Sequence, residues 1–349
     1  MQRLIIKGKK KLKGKIKISG SKNATLPILA ASILSNSSEI KNIPLVNDIF
    51  TMVKLLKFIG LKCILSKKKK TIKVLNKLTR SNKNIIAPYK LVKTMRAGVL
   101  VLGSLLGKYK KAKVSLPGGC AIGTRPVDLH LFALKKLGAK IKIKDGYILA
   151  EAKNGLKGTK IKFPSISVGA TENALIAAFK ARGTTILKNC AIEPEIKDLI
   201  IFLKKLGANI YLKGRTITIF SKEIESSKII HQVIFDRIEL GTYMIAGALL
   251  AKKNLILENI DPKIIKNEIN TFKKIGVQII QKEKSIIIKK INKLRKINII
   301  TKPYPGFPTD LQAQLMVLLT QASGISKIKE DIFENRFMHV PELKRMGAQ

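Results

Sequence analysis

The phrase KKLGAKI at residues 135–141 returns almost unchanged as KKLGANI at residues 204–210. Related phrases are KFIGLKC at 57–63, KKIGVQI at 273–279 and KRMGAQ at 344–349. Their glycines are spaced by roughly 70 residues, so an internal repeat defines the unit of the fold. Each glycine follows a helical pattern, and we expect it to end a helix in the left-handed conformation that glycine adopts without strain.

A proline stands near the start of each of these helices. Proline loses no hydrogen bond in the first helical turn, because the N–H it lacks would have no partner there. The five prolines are Pro44, Pro126, Pro194, Pro262 and Pro341. Each unit is therefore predicted to carry one surface helix between its proline and its glycine.

A second kind of helix precedes the surface helix in each unit. Its sequence is apolar nearly all round and rich in small residues, which is typical of a buried helix. The five bodies are NATLPILAASIL (23–34), RAGVLVLGSLLG (96–107), ENALIAAFKA (172–181), RIELGTYMIAGALL (237–250) and LQAQLMVLLTQA (311–322). We expect them to begin near residues whose side chains cap helices, namely Ser21, Thr94, Thr171, Asp236 and Thr309.

Short Ile/Val/Lys strands such as KIKIS (15–19) fill the rest of each unit. A unit with a fully buried helix must pack against its siblings. We expect residues 21–234 to form one domain of three units, and residues 1–20 to join residues 235–349 in a second. The fifth unit stops at Gln349, after its second helix, so the repeat predicts a second domain without its last unit.

Composition favours a soluble, cytoplasmic protein. The chain has 349 residues, of which 46% are hydrophobic, enough for two buried cores. Its three cysteines, Cys63, Cys120 and Cys190, are far apart, so a reducing compartment fits better than a disulfide framework. The first residues have no signal-peptide pattern, and no apolar run approaches the roughly 20 residues of a membrane span.

The formal net charge of +46 permits two interpretations. One is a basic binding protein that contacts nucleic-acid phosphates. The other is a lysine-biased composition, which we prefer because the lysines are spread along the chain and no nucleic-acid-binding signature is present. No nucleic-acid partner is therefore predicted, although a basic surface favours small anionic substrates.

The segment SLPGGCAIGTRPVDLH (115–130) is the most informative for chemistry. Its glycines indicate a tightly turned or mobile loop. A cysteine on such a loop, near Arg125, could have a lowered pKa and act as a nucleophile or an acid. A buried, unreactive thiol is the alternative for Cys120, and it is the preferred interpretation for Cys63 and Cys190.

The predicted starts of the buried helices carry charged residues, including Lys22, Arg96, Glu172, Arg237 and Asp310. A cation at a helix start is unfavourable unless an anion binds there. Lys22, Arg96 and Arg237 are therefore candidate anion ligands, with surface ion pairs as the alternative. Asp310 could simply complement the helix dipole.

No cofactor and no metal are predicted. The three histidines have no metal-ligand spacing, and the sequence has no P-loop and no GxSxG motif. The segment SVGAT (167–171) opens a helix, and its N–H groups could hold a diphosphate.

Eight motifs occur in order along the whole chain. They are GSKNATLPILAAS from Gly20, KTMRAGVLVLG from Lys93, LPGGCAIGTRPVDLH from Leu116, SVGATEN from Ser167, EPEIKDL from Glu193, DRIELGTY from Asp236, FPTDLQAQ from Phe307 and FENRFMHVPELKRMGA from Phe333. Together they resemble the UDP-N-acetylglucosamine 1-carboxyvinyltransferases of the enolpyruvyl transferase family. The resemblance implies a two-domain inside-out α/β barrel fold. The 5-enolpyruvylshikimate-3-phosphate synthases share that fold, but the cysteine loop and the SKNA helix start resemble the UDP-sugar enzymes.

The resemblance also implies a reaction. The enolpyruvyl group of phosphoenolpyruvate moves to the 3-hydroxyl of UDP-N-acetylglucosamine, phosphate leaves, and peptidoglycan precursor synthesis begins. Cys120 matches the cysteine that protonates the enolpyruvyl methylene and can form a covalent adduct, and a cysteine there implies sensitivity to the epoxide fosfomycin. Asp310 matches the carboxylate that takes the proton from the 3-hydroxyl, and Lys22 matches a catalytic lysine at phosphoenolpyruvate.

The remaining matched positions are substrate contacts. Arg96 and Arg125 match arginines that face phosphate and nucleotide, Arg125–Leu129 the uridine site, and Ser165–Val168 the diphosphate site. The residues implied to bind substrate are Lys22, Asn23, Arg96, Arg125, Pro126, Val127, Asp128, Leu129, Ser165, Ile166, Ser167, Val168, Asp310 and Ile332. Ser165 departs from the family pattern, because some relatives carry a lysine there.

The absent sixth unit is the larger departure, because the family keeps arginines there that grip the phosphoenolpyruvate carboxylate. Three hypotheses stay open. In the first, the chain is an active transferase, and its sixth unit is either encoded further along the gene or supplied by a separate C-terminal fragment. In the second, it is an inactive remnant of that enzyme. In the third, it is a basic binding protein without chemistry. The intact Lys22, Cys120 and Asp310 argue against long decay.

Overall fold

The computed structural model describes residues 5, 7, 8, 10–78, 85–118, 127–220, 228–289, 291 and 293–349. The chain divides into two compact domains, which are called the larger unit and the smaller unit from here on to distinguish them from the sequence repeats. The larger unit is Gly20–Ile234, and the smaller unit is made of Met1–Ser19 and Phe235–Gln349. Gly20 lies in the larger unit, one residue before the boundary expected from the repeat. A Cβ atom at Gly20 would collide with the carbonyl oxygen of Asn42, so the backbone at this boundary is packed against the larger unit.

Helices and strands alternate along the described residues. The α-helices are α1 (Lys22–Ala31), α2 (Asn47–Ile59), α3 (Tyr89–Val92), α4 (Val101–Tyr109), α5 (Asp128–Lys136), α6 (Val168–Ala178), α7 (Pro194–Lys205), α8 (Arg237–Leu250), α9 (Lys266–Ile275), α10 (Gln312–Leu319) and α11 (Val340–Arg345). Short 3-10 helices span Ser32–Leu34, Arg96–Leu100, Pro262–Ile265 and Thr309–Leu311.

The strands are short, and most have five residues or fewer. They are β1 (Leu12–Lys17), β2 (Ser37–Lys41), β3 (Lys62–Ser66), β4 (Thr71–Leu75), β5 (Ile86–Ala87), β6 (Lys111–Ser115), β7 (Lys140–Lys144), β8 (Tyr147–Glu151), β9 (Lys160–Lys162) and β10 (Thr184–Lys188). The chain continues with β11 (Asn209–Lys213), β12 (Thr216–Phe220), β13 (Ile229–Gln232), β14 (Ala251–Glu258), β15 (Ile279–Gln281), β16 (Ser285–Lys289), β17 (Leu294–Arg295), β18 (Asn298–Ile300), β19 (Ala322–Ser323) and β20 (Lys327–Lys329).

One strand arrangement recurs in four sheets. In the larger unit the strand orders are β13-β2-β4-β3, β5-β6-β8-β7 and β9-β10-β12-β11, and in the smaller unit the order is β1-β14-β16-β15. In each sheet the first pair is parallel and the next two pairs are antiparallel. Within the described residues these sheets are separate ladders, and no strand pairing closes them into one barrel.

Two short parallel pairs complete the smaller unit. Strand β17 pairs with β19, and β18 pairs with β20. The β18–β20 pair concerns two segments that are described below as parts of the candidate site. Residues 330–333 follow β20 directly, and Thr309 begins the 3-10 turn that leads into α10.

The surface helices end where the repeat predicts. Gly60, Gly138, Gly207, Gly276 and Gly347 all have positive φ values, from 90° to 110°. That part of the sequence prediction is confirmed, because a left-handed residue closes the last turn of a helix and glycine adopts it most easily.

The predicted capping residues are right at two positions and wrong at three, although helical segments do begin near Thr94 and at Thr309. The side chains of Ser21 and Asp236 cap α1 and α8. Helix α6 instead begins after Ser167, whose hydroxyl accepts from the Ala170 amide, while the Thr171 hydroxyl donates to the Ser167 carbonyl.

The other two threonines also miss the capping position. Thr94 donates its hydroxyl to the Leu91 carbonyl, and Met95 precedes the 3-10 turn that leads into α4. Thr309 is itself the first residue of its turn. A short polar residue near a helix start therefore fixes the capping position only to within a turn.

Each unit has its own aliphatic core. In the larger unit α1, α4 and α6 are buried over almost their whole length. The second core gathers around α8, α9 and α10. Cys63 and Cys190 are buried free thiols in the larger unit, as predicted, and burial raises their pKa to about 11 and about 12.

Candidate active site

Two buried helices of the larger unit run in the same direction. The Gly103 amide of α4 donates to Asn173 Oδ1, in the first half of α6, at 2.8 Å. Four residues later, the backbone of Gly107 lies against Lys180, just beyond the end of α6. Because both chains advance together, the start of α6 and the 3-10 turn Arg96–Leu100 lie at the same end of the unit, and they are in contact.

Helix α1 is aligned with this pair. The Ser104 hydroxyl of α4 donates to the carbonyl of Ala30, near the end of α1, at 2.6 Å. Four residues later, Lys108 Nζ donates to the carbonyl of Ser35, beyond the end of α1, at 3.1 Å, so the two chains advance together. The N-terminal ends of all three buried helices therefore point to one end of the larger unit. Helix starts present amides without helical partners and partial positive charge, which suits anionic ligands.

Lys22 and Asn23 form the first turn of α1 and are only partly buried, although the rest of the helix is buried. The Ser21 hydroxyl accepts from the Ala24 amide at 3.2 Å and fixes this turn. Lys22 Nζ lies 3.2 Å from Asp48 Oδ2, and the two side chains are 43% and 37% exposed. An ion pair this exposed contributes little stability, and both charges are accessible to a ligand.

Arg96 opens the second helix start, and its charge acts on His130 of α5. Burial, followed by the nearby Arg96 charge, lowers the pKa of His130 to about 4. The Asn173 amide nitrogen is 3.1 Å from His130 Nδ1, while Asn173 Oδ1 accepts from Gly103. An amide nitrogen only donates, so Nδ1 accepts and the neutral ring carries its proton on Nε2.

His130 packs against the start of α6. A Cβ atom at Gly169 would lie 3.2 Å from His130 Nε2, so only a residue without a side chain fits there comfortably. The sequence has no metal-ligand spacing around His130, and it predicts no site role for this residue. Its position at the end of the SLPGGCAIGTRPVDLH motif was the one available signal that it lies near the site.

The start of α6 presents the segment predicted to hold a diphosphate. Ser165 and Val168 are exposed and Ile166 and Ser167 are half-buried. Ser167 caps the helix by accepting from the Ala170 amide, and an anion could accept from the remaining first-turn amides. Val127 precedes α5 and is buried, while Asp128 and Leu129 are the first two residues of α5, with Asp128 exposed. Cys120, Arg125 and Pro126 lie outside the described residues.

Glu172 is not at a helix start, contrary to the prediction. Helix α6 begins four residues earlier, so Glu172 lies in its second turn and is buried. Burial raises the pKa of Glu172 well above its ordinary value, and the neighbouring charges of Glu195 and Glu193 raise it further. The protonated carboxyl is favoured because three acids share this buried region.

The smaller unit presents Asp310 in the turn that leads into α10. Arg336 Nη2 donates to Asp310 Oδ1 at 2.6 Å, and the two side chains are 15% and 42% exposed. Ile332 is half-buried, and its amide donates to Glu330 Oε1 at 3.0 Å. The resemblance implies Asp310 and Ile332 as site residues, but it does not indicate Arg336 and Glu330 as their partners.

Arg237, the third candidate anion ligand, has partners inside the smaller unit. Its Nη1 lies 3.6 Å from Glu268 Oε1, with side-chain exposures of only 11% and 3%. Its guanidinium also stacks over the ring of Tyr304, 5.9 Å from the centroid. These contacts favour the ion-pair interpretation of Arg237.

The described residues show neither a metal-binding cluster nor a membrane-spanning helix. No group of three or more His, Cys, Asp or Glu side chains there could hold a metal ion. None of the helices there combines the length and the apolar character needed to cross a bilayer.

Comparison with known proteins decides the family. The family model of EPSP synthase (3-phosphoshikimate 1-carboxyvinyltransferase) matches residues 6–349. A UDP-N-acetylglucosamine 1-carboxyvinyltransferase of Pelagibacter ubique (strain HTCC1062) is 58% identical, over 100% of this chain and 82% of that protein. The chain belongs to the UDP-N-acetylglucosamine 1-carboxyvinyltransferase family. The family member of Rickettsia prowazekii (strain Madrid E) is 50% identical, over 100% of this chain and 83% of its own length.

Solved structures share the fold of this family member. The enolpyruvyl transferase NikO from Streptomyces tendae superposes with a TM-score of 0.85 at 23% identity, covering 97% of this chain and 79% of NikO. EPSP synthase from Acinetobacter baumannii gives a TM-score of 0.68 at 16% identity, covering 92% of this chain and 74% of that one. The two-domain α/β fold predicted from the resemblance is thus confirmed.

Proposed function

We propose that this chain transfers the enolpyruvyl group of phosphoenolpyruvate to the 3-hydroxyl of UDP-N-acetylglucosamine and releases phosphate. The observation that carries the proposal is the 58% identity over the whole chain to a protein named for this reaction. The charged helix starts of the larger unit support it, because both substrates are phosphate anions.

The reaction is an addition followed by an elimination. The sugar 3-oxygen bonds to C2 of phosphoenolpyruvate as Asp310 takes its proton, and Cys120 delivers a proton to the methylene carbon. Phosphate then leaves C2, and loss of a proton from the new methyl group restores the double bond. A positioned acid and base typically contribute about 10²–10⁴-fold each to such a reaction.

The remaining proposed roles concern binding. Lys22 and Asn23 meet phosphoenolpyruvate and the sugar, and Arg96 and Arg125 face the phosphates, where cations stabilise developing charge. Arg125–Leu129 bind the uridine. The residues proposed for the diphosphate are Ser165, Ile166, Ser167 and Val168, and Ile332 contacts the sugar nucleotide.

We further propose that the reaction takes place in the cytoplasm and that fosfomycin inhibits it through Cys120. The free thiols of Cys63 and Cys190 support a reducing compartment. No protein or nucleic-acid partner is needed for the chemistry, although a separate C-terminal fragment would be a partner if the gene is split.

The test is phosphate release by the purified chain, with both substrates present and with each omitted. Cys120→Ala should abolish release, and Cys63→Ala is the matched control because that thiol is buried in β3. Shikimate 3-phosphate replaces the UDP-sugar in a parallel reaction. Release with shikimate 3-phosphate alone would contradict the proposed acceptor, and a folded chain that releases no phosphate would contradict the proposed reaction.

A further inference from the structure

Glu330 is a half-buried carboxylate that directly follows β20 in the smaller unit. Its Oε2 accepts from the Thr309 hydroxyl at 2.8 Å. Its Oε1 accepts from the backbone amides of Ile332 at 3.0 Å and Phe333 at 3.2 Å. This one side chain therefore connects the turn that contains Thr309 to the segment that contains Ile332 and Phe333. Hydrogen bonds to an ionised carboxylate are roughly twice as strong as neutral ones.

Both segments belong to the proposed site. Thr309 immediately precedes Asp310, so the bond to Glu330 holds the turn that presents the proposed base. On the other side, the amide of Ile332 is fixed by the same carboxylate.

Glu330 is also connected to Asp310 by a chain of contacts through Phe333 and Arg336. The Phe333 amide is held by Glu330, and its ring lies 5.6 Å from the guanidinium carbon of Arg336. Arg336 in turn donates to Asp310 Oδ1 at 2.6 Å. The backbone of Asp310 is therefore held through the neighbouring Thr309, and its carboxylate is held by Arg336. Glu330 contributes to both, through its hydrogen bonds to Thr309 and Phe333.

The neighbouring acid does not share this arrangement. Asp331 is exposed, and its side chain pairs with Lys329 at 3.1 Å on the surface. Its backbone amide donates to the Thr301 hydroxyl at 3.2 Å, which anchors the segment independently of Glu330. The backbone of residues 330–333 is therefore fixed by the Asp331–Thr301 hydrogen bond, while the Glu330 carboxylate separately contacts Thr309 in the proposed site.

We propose that Glu330 is a positioning residue for enolpyruvyl transfer, holding Asp310 and Ile332 in the geometry that deprotonation of the sugar hydroxyl requires. The inference rests on the proposed function. A displacement of about 1 Å in a reacting group can cost about 10²-fold in rate. Loss of the Glu330 carboxylate releases three hydrogen bonds that fix that geometry.

Glutamine separates positioning from charge. The amide oxygen of Glu330→Gln can still accept from both backbone amides, and its NH₂ group can donate to the Thr309 hydroxyl. Alanine removes all three contacts. We therefore expect kcat to stay within about threefold of the wild type for Glu330→Gln and to fall about 30-fold or more for Glu330→Ala.

The experiment measures kcat and the KM of each substrate by phosphate release for wild type, Glu330→Gln, Glu330→Ala and the control Asp331→Asn. Far-UV circular dichroism and urea unfolding report the folded fraction of each. We expect Glu330→Ala to lower kcat and raise the KM for UDP-N-acetylglucosamine, with the KM for phosphoenolpyruvate unchanged. Asp331→Asn should behave as the wild type.

Two results would overturn the inference alone. One is an active wild type with an equally active, folded Glu330→Ala. The other is a loss of activity in Glu330→Ala that only follows its folded fraction, with both KM values unchanged. An inactive wild type would instead remove the proposed function and this inference with it.

Discussion

Acidification from about pH 7.5 to about pH 5 should destabilise the larger unit through His130, and His130→Gln should remove that part of the loss. Burial, followed by the Arg96 charge, lowers the pKa of His130 from 6.5 to about 4. Between these two values the unfolded chain binds a proton that the folded chain does not, so stability falls as the pH falls. At about pH 5, linkage gives a loss of about 2 kcal/mol from this one residue.

Urea unfolding followed by far-UV circular dichroism is the suitable assay, because the chain has no tryptophan. The wild type and His130→Gln are each unfolded at both pH values, and the two losses are subtracted so that other titrating groups cancel. Glutamine can still accept from the Asn173 amide, so the variant keeps the hydrogen bond while removing the titration. Equal losses in the two proteins would refute a folded-state pKa below the ordinary value.

Two further substitutions test neighbouring charges. Lys22→Ala should lower phosphate release by more than about 10²-fold while changing the free energy of unfolding by less than about 1 kcal/mol, because its ion pair with Asp48 is nearly half exposed; rate and urea unfolding are measured on one preparation. Glu172→Gln should gain stability relative to the wild type as the pH rises above 4.5, because the unfolded wild type then ionises this carboxyl while the raised pKa keeps it protonated in the folded chain. Urea unfolding from pH 4.5 up through neutral pH measures the difference, and parallel pH curves over that range would contradict it.

The ends of the surface helices could be predicted because they depend on local chemistry. Gly207 and Gly276 follow a lysine pair and one apolar residue, and each has the left-handed φ that closes a helix. Nothing distant has to be known for that conclusion. The same applies to the buried helices, whose apolar sequence leaves no polar side to face water.

The starts of the buried helices were less predictable because several residues compete for one role. Near α6, both Ser167 and Thr171 could have capped the helix, and Ser167 does so. Thr171 then bonds back into the first turn, where its hydroxyl also accepts from the Ala191 amide at 3.1 Å. That contact depends on how α6 packs against the segment before α7, which the sequence alone does not reveal.

The partners of the site residues are the part that sequence could not supply. The resemblance identified Asp310 and Ile332, but Arg336 meets Asp310 across 26 positions of sequence, and Asn173 meets His130 across 43. Neither Arg336 nor Glu330 lies at a sequence spacing that indicates its partner. The pairing of β18 with β20 and the bridge between Thr301 and Phe307 bring the segment after β20 to the start of α10.

The electrostatics of the helix starts distinguish residues that the fold needs from residues that it does not. Asp236 before α8 complements the helix dipole and caps the first turn. Lys22 and Arg96 stand at starts where the dipole disfavours a cation. The lysine excess of the chain does not explain them, because a strand such as β7 (Lys140–Lys144) carries its lysines on exposed positions. Lys22 has the partial compensation of its exposed pair with Asp48, and we propose that the anionic substrates supply the remaining compensating charge at Lys22 and Arg96.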